Sequence, residues 1–371
     1  MSPSGADMNK NTSQICIVGA GLIGSSVGLG LKESGFKVNF LDLSPVSQRI
    51  ANQLVGLAEE YAFQFLGSDL IFLVATPPEE VFKTLLQLNS QHPEAKFIEV
   101  SGIKSKLVSE LEDFPDIRKR LCMVHPMAGR EFSGVEAARS DLFQGKPWLI
   151  VENQDEFSQE RKSITEIASD IGKYLGSEVS ILDIQEHDLA ITLVSQMPQL
   201  LASTLANQIL ENPSSAKFAG QGLRDMIRIA DSSSTLWSNL FARNKEFLVK
   251  EINSFIDKLT KAKNYLADDN LKEIEHFIAS GKEGKLLVPG KHGGALRDYS
   301  YIAVVIDDKP GQLAGIFQDC GEAEINIEDI TIEHSPGQQT GLIKLAVAPS
   351  SAEKLQQHLA TKNWKAHLLN Q

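Results

Sequence analysis

The sequence predicts an α/β protein in three parts: a doubly wound, largely parallel sheet, an all-helical second domain, and a small α/β module at the C-terminus. Three observations carry this. From residue 14 to about 182, short apolar runs alternate with helical stretches, as strands joined by crossover helices do. From about Asp183 to Gly281 the strand pattern vanishes and helical periodicity takes over. From Tyr299 onward the order becomes β-α-β-β-α-β, a ferredoxin-like arrangement.

The first strand, Ile15–Val18, runs directly into Gly19-Ala20-Gly21-Leu22-Ile23-Gly24 and then a helix over 22–34. Gly19 permits the tight turn, Gly21 lets the backbone approach an anion without a Cβ in the way, and Gly24 lets the helix pack closely on its strand. The unpaired N–H groups at Leu22 and Ile23 then face a pyrophosphate. After the turn at Gly35, the strand Lys37–Leu41 ends at Asp42, where an acidic side chain accepts hydrogen bonds from ribose hydroxyls. This pattern predicts a Rossmann-type nucleotide domain over 1–183, and a 2′-phosphate would meet Asp42 with like charge, so NAD is the expected cofactor. Further strands are expected at Asp69–Ala75, Lys96–Val100, Leu121–His125, Trp148–Glu152 and Glu178–Leu182. Ligands in such sheets bind beyond the carboxyl ends of the strands. That edge carries the loops starting at Thr76, Ser101 and His125, with Thr76 and Ser101 on the cofactor side.

Residues 184–281 are expected to form a substrate and dimerisation domain, 282–298 a glycine-rich basic linker, and 299–371 the small module, with strands at Tyr301–Ile306, Ile325–Glu333 and Gly341–Ala348. A chain of 371 residues has room for these parts, and its 42% hydrophobic and 23% charged residues are ordinary for a globular enzyme. No stretch reaches the apolar length that a membrane helix needs, and Met1–Ser13 is polar, so a cytoplasmic protein is expected. Cys16, Cys122 and Cys320 are scattered in apolar contexts and read as buried thiols. A net charge of −12 argues against nucleic acid as a partner, and any anionic substrate must be met by local cations.

His125 stands where a buried strand reaches the cofactor edge, placed to accept a proton from a hydroxyl that is being oxidised; a histidine capping a turn fits the spacing almost as well. Arg224 and Arg228 are four apart, on one helix face, as a dicarboxylate would need, although a solvated face is the simpler reading. Glu186-His187-Asp188 opens a long helix, but no second histidine sits at ligand spacing, so a capping or hinge role is expected and no metal.

Taken together, Gly19–Ser26, His125-Pro126-Met127-Ala128-Gly129-Arg130-Glu131-Phe132-Ser133-Gly134, Leu142–Trp148, Glu186–Asp188, Ser195–Gln199 and Gly222–Ala230 followed by Trp237 resemble the prephenate dehydrogenase family over nearly the whole chain. Asp308–Leu313 and Asn326–Ile330 are similar to ACT domains, which bind amino acids. The resemblance implies NAD-dependent oxidative decarboxylation of prephenate to 4-hydroxyphenylpyruvate in tyrosine biosynthesis, in a homodimer. It makes His125 the acceptor that polarises the ring hydroxyl and Arg228 the grip on a substrate carboxylate. Arg224 is a weaker candidate, and Ser195, Gln196 and Gln199 are expected at the substrate. Pro310, Gly311, Leu313, Asn326 and Ile327 would form a regulatory site for an amino acid, with tyrosine expected. Arogenate dehydrogenase, giving tyrosine directly, and a catalytically inactive amino-acid sensor are the alternatives. The chain departs from the family where a serine usually hydrogen-bonds the catalytic histidine: Gly102 stands there, and Ser101 is the expected substitute. Gln196 and Gln199 stand where many members carry histidines, and Ile227 where threonine is common.

Overall fold

The seven apolar runs of the first half become β1 (Gln14–Val18), β2 (Val38–Leu41), β3 (Leu70–Val74), β4 (Lys96–Glu99), β5 (Leu121–Pro126), β6 (Pro147–Glu152) and β7 (Glu178–Asp183). They form one sheet in the order β2-β1-β3-β4-β5-β6-β7. All neighbours are parallel except β5 and β6, which pair antiparallel through His125 and Leu149. The structure is a computed structural model that describes residues 14–57, 70–129, 134–152, 158–288, 299–307, 309–334 and 340–369. Arg130–Ser133 of the histidine motif, Asp308 and most of the expected linker lie outside the described residues.

Both faces of the inner strands are covered, so β1, β3 and β5 are apolar at nearly every position, whereas the edge strand β7 carries Glu178, Ser180 and Asp183 and is largely exposed or half-buried. On β1, Ile15 and Ile17 enter a core with Val27 and Leu31 of helix α1 (Leu22–Glu33), while Cys16 enters the opposite core. Helix α2 (Pro45–Leu54) follows β2, and its N-cap Ser44 accepts from the Ser47 amide. Helices α3 (Val81–Gln91), α4 (Ser105–Glu110) and α5 (Pro115–Lys119) cover the Cys16 face through Leu85, Leu107 and Ile117. Helix α6 (Gln159–Tyr174) packs Ile164 and Ile171 on the other, beside Trp148. Because β2 and β3 flank β1 on opposite sides, the crossovers diverge there and leave a crevice at the carboxyl ends of the strands.

Helices α7 (Ile184–Ile191) and α8 (Met197–Glu211) form one run, joined by a π-helical turn at Thr192–Gln196. Then come α9 (Gln221–Ile227), α10 (Ser234–Arg243), α11 (Lys245–Ala267) and α12 (Leu271–Leu286). The run Ile184–Glu211 corrects one expectation: by length and composition alone it is apolar enough to span a membrane. Its buried side, however, carries His187, Asp188, Thr192 and Gln196 hydrogen-bonded within the protein, the pattern of a core-facing helix. The sheet and the helices through Ile274 form one compact unit. They are tied by Arg243 to Glu110 at 2.9 Å, Asn239 to Glu79 at 2.8 Å and Asp188 to the start of α4. Helix α12 also continues through Leu286, into the segment expected as linker.

The second unit, from Glu275, contains β8 (Ser300–Asp307), α13 (Gln312–Glu322), β9 (Asp329–His334), β10 (Thr340–Val347), α14 (Ala352–Thr361) and β11 (Lys365–Leu369). Its strands pair antiparallel in the order β11-β8-β10-β9, with the helices packed through Ile316 and Leu355 over Ile302, Val304, Ile343 and Leu345 of the sheet. Gly311 adopts φ +90° at the start of α13, a conformation that favours glycine.

Phe72 is fully buried and stacks on Phe97 with ring centroids 6.1 Å apart. Phe72→Ala is expected to lower unfolding free energy by about 3–5 kcal/mol in urea titrations. A loss below about 1 kcal/mol would contradict this packing.

Candidate active site

The crevice beside β1 is a cleft of about 840 Å³ lined by Gly19, Gly21, Leu22, Ile23, Asp42 and Thr76, among others. Gly19 sits at φ +105°, and a Cβ there would lie 2.5 Å from the Ala75 carbonyl oxygen. A Cβ on Gly24 would meet the Gly19 carbonyl oxygen at 2.1 Å, so this position must be glycine for α1 to approach β1. Gly21 has open space where its Cβ would be, and no side chain caps α1, so the first-turn amides face the cleft. Asp42 accepts from the Ala20 amide at 2.7 Å through one oxygen and from the Ser44 amide at 2.7 Å through the other. The Thr76 hydroxyl is buried at the cleft wall with no partner among the described residues. Bare amides, a carboxylate and an unsatisfied hydroxyl fit a dinucleotide: phosphates over the α1 N-terminus and ribose hydroxyls on Asp42.

Three strands along the same edge from β1, about 14 Å at the usual strand spacing, half-buried His125 is the penultimate residue of β5. Its surroundings are built by the segment after β4. Lys104 is fully buried; its ammonium pairs with Glu99 and donates to the carbonyls of Ser101 and Val124, each at 2.7 Å. Glu99 also accepts from the Ser101 amide at 2.8 Å. Burial depresses the Lys104 pKa, and the pairing with Glu99 opposes this. From the helical side, His187 Nε2 lies 2.9 Å from His125 Nδ1, and His187 Nδ1 lies 2.7 Å from Asp188. Asp188 further accepts from the amides of Lys104 at 3.1 Å and Ser105 at 2.8 Å, and from the Ser105 hydroxyl at 2.5 Å. Burial alone would raise the Asp188 pKa, but the bonds from His187 and Ser105 outweigh it and hold the carboxyl below its usual range. Burial drives the His125 pKa well below the ordinary imidazole value, the charge of Lys104 pushes the same way, as would a proton on His187, and Asp188 opposes them. His125 is therefore neutral at physiological pH and can accept a proton.

The structure corrects the expectation for Ser101. Its hydroxyl donates to the Ile103 carbonyl at 3.3 Å, and it is Gly102 that faces the imidazole: a Cβ there would stand 3.6 Å from His125 Nε2 and 3.7 Å from Leu240 of α10. Displacement by one residue turns the side chain away. The arginines differ too. Ile227 closes α9 at φ −87°, ψ −6°, so Arg224 lies in the last turn of α9 while Arg228 opens a 3₁₀ turn. Both arginines are exposed in the single chain. Gln196 and Gln199 are buried: Gln196 accepts from Asn244 at 2.9 Å, and Gln199 accepts from the Ser232 hydroxyl at 3.4 Å. Ser195 lies in the π turn, half-buried. Pro310, Gly311, Leu313, Asn326 and Ile327 all belong to the second unit, where Asn326 donates to Glu328 at 2.9 Å. Sequence reasoning missed His187, Asp188, Lys104 and Glu99 as a cluster. Adjacent charged residues on an otherwise apolar helix were the one available signal.

A dinucleotide cleft on a doubly wound sheet, with a neutral histidine at the same edge, defines a dehydrogenase of the nicotinamide class. Family models described as the nucleotide-binding domain and the dimerization domain of prephenate dehydrogenase match residues 27–175 and 183–280. The chain is 30% identical over 367 residues to a probable prephenate dehydrogenase, NovF, of Streptomyces niveus, covering 95% of this chain and 98% of that one. To the prephenate dehydrogenase of Bacillus subtilis it is 25% identical over 350 residues, covering 91% and 93%. Among solved structures, prephenate dehydrogenase from Aquifex aeolicus, in complex with hydroxyphenyl propionate and NAD+, superimposes with a TM-score of 0.66 at 25% identity, covering 75% of this chain and 98% of that one. The chain belongs to the prephenate dehydrogenase family.

Space at Gly102 generates a prediction. Gly102→Ser should be accommodated with a stability change within about 0.5 kcal/mol, and a crystal structure should find its hydroxyl within hydrogen-bond distance of His125 Nε2. A serine rotated away from the imidazole would refute the placement of Gly102.

Proposed function

We propose that this chain oxidises and decarboxylates prephenate to 4-hydroxyphenylpyruvate and CO₂ in tyrosine biosynthesis, with NAD as hydride acceptor. The observation that carries the reading is the position of His125 near the carboxyl end of β5, on the sheet edge that also bears the dinucleotide cleft, where burial disfavours its protonated form. NAD, held by the α1 N-terminus and Asp42, would supply the acceptor for the hydride of the ring carbon that bears the hydroxyl. His125 Nε2 accepts the hydroxyl proton as that carbon becomes a carbonyl, and returns it to the oxygen once the opposite carboxylate leaves and the ring becomes aromatic. A positioned base of this kind contributes about 10²–10⁴ in rate.

Arg228 grips a substrate carboxylate, with Arg224 as the weaker candidate and Ser195, Gln196 and Gln199 at the substrate. The support is local: the turn that begins at Arg228 packs on α8, and Ser232 just beyond it bonds Gln199. Dimerisation through the helical segment is supported by the matched dimerization domain and by exposed apolar side chains such as Leu210, Val249, Ile256 and Leu259. Three buried free thiols fit a reducing, cytoplasmic setting. The β-α-β-β-α-β unit acts as an ACT domain that takes tyrosine near Gly311 and Asn326; the support is its topology and the positive-φ glycine at the start of α13.

Steady-state rates with both substrates test the reaction, and a clear preference for arogenate in kcat/KM would overturn the choice of prephenate. His125→Asn is expected to lower kcat by about 10²–10⁴ while NAD affinity stays unchanged. Because the depressed pKa keeps His125 unprotonated well below pH 6.5, kcat/KM should stay level as pH falls through 6.5 and decline only at lower pH. An acid limb centred at or above 6.5 would count against a buried acceptor. Ending the chain at Gly294 should preserve turnover and abolish inhibition by tyrosine; inhibition that survives would remove the ACT assignment.

A further inference from the structure

The chain His125, His187, Asp188 has more order than a proton acceptor alone requires. Asp188 and His187 are both completely buried, and the contacts between the three run Nδ1 of His125 to Nε2 of His187 at 2.9 Å and Nδ1 of His187 to the Asp188 carboxylate at 2.7 Å. A carboxylate only accepts, so His187 Nδ1 carries a hydrogen and donates it. With His187 neutral, its Nε2 has a lone pair, which obliges His125 to keep its own hydrogen on Nδ1 and leaves the lone pair on its Nε2, beside Gly102. Two amides and the Ser105 hydroxyl already offset the charge of Asp188, so a neutral His187 satisfies the carboxylate. Among the described residues, the other charged groups around the pair are Lys104, whose ammonium is engaged by Glu99 and two carbonyls, and Glu99 itself; α10 contributes the apolar Leu240.

We propose that His187 and Asp188 are positioning residues which fix the tautomer of His125, so that Nε2 is the acceptor, and which hold the proton during turnover. The proposal rests on the prephenate dehydrogenase reading above. When His125 Nε2 takes the substrate hydroxyl proton, the hydrogen on its Nδ1 shifts to His187 Nε2, and the positive charge comes to rest on His187 against Asp188. The reverse shift gives the proton back to the phenolate oxygen formed when CO₂ leaves, so no proton is gained or lost. The arrangement also compensates for Gly102: with no hydroxyl beside Nε2 to orient the ring, the Nδ1 side does so.

Selective ¹⁵N-histidine labelling of the full-length protein, with His125→Asn to assign the signal, reads the proton's position directly. Wild type should show His125 protonated on Nδ1 and bare on Nε2. His187→Leu should lower kcat about 10²-fold or more, as a wrongly oriented imidazole does, with KM and NAD affinity within threefold of wild type. His187→Gln, whose amide can accept from His125 and donate to Asp188, should recover at least about tenfold of that loss. A His125 that carries its hydrogen on Nε2 in wild type overturns the proposal, as does His187→Leu turning over within fivefold of wild type. If His187→Leu does not fold, the wild-type spectrum and His187→Gln decide. Wild type with hydrogen on Nδ1 but no turnover of prephenate with NAD would sink the reading of function and leave the tautomer assignment standing.

Discussion

The ammonium of Lys104 is the fixed point of the site. It joins the end of β4 to the end of β5 by pairing with Glu99 and bonding the carbonyls of Ser101 and Val124, so the residue just before His125 is anchored to the loop that faces it. An ion pair of this depth contributes little net stability over a well-packed apolar pair, but losing one partner strands a buried charge, at a cost of about 3–5 kcal/mol. Its worth is therefore geometric. It sets where the imidazole stands and contributes to the field that keeps it unprotonated.

Around that point the sheet topology divides the work. The crevice at β1 belongs to the cofactor because the crossovers diverge there, and β4 and β5 continue the same edge toward the reacting group. The helical segment reaches back over this edge through Asp188, which takes the first amides of α4, and through the Arg243–Glu110 and Asn239–Glu79 contacts. This is why sheet and helices make one compact unit even though the sequence pattern changes sharply at Asp183.

The inner strands were legible because burial on both faces leaves unbroken apolar runs, and the dinucleotide loop because Gly19 and Gly24 answer specific steric demands at Ala75 and at Gly19 itself while Gly21 leaves the approach to the amides open. The helical periodicity likewise announced α7 to α12, although not the π turn at Thr192–Gln196, which no local composition marks. Side-chain direction was not legible. Ser101 and Gly102 differ by one position, and only the backbone path after β4 decides which faces His125. His187 is 62 residues from His125, so their contact depends on how α7 docks on the sheet and leaves no periodic trace. Arg224 and Arg228 looked like one helical stripe until the turn tightened at Ile227.

Asp42 carries two duties that are easily mistaken for one. The carboxylate that would meet the ribose also clasps the glycine loop through Ala20 and steadies the entry to α2 through Ser44. Redesigning the cofactor preference by exchanging this side chain for a small neutral one would also release the Ala20 amide, leaving the Gly19 amide on the Leu41 carbonyl as the backbone tie of the loop to β2. Such a redesign therefore calls for a second group to accept from Ala20.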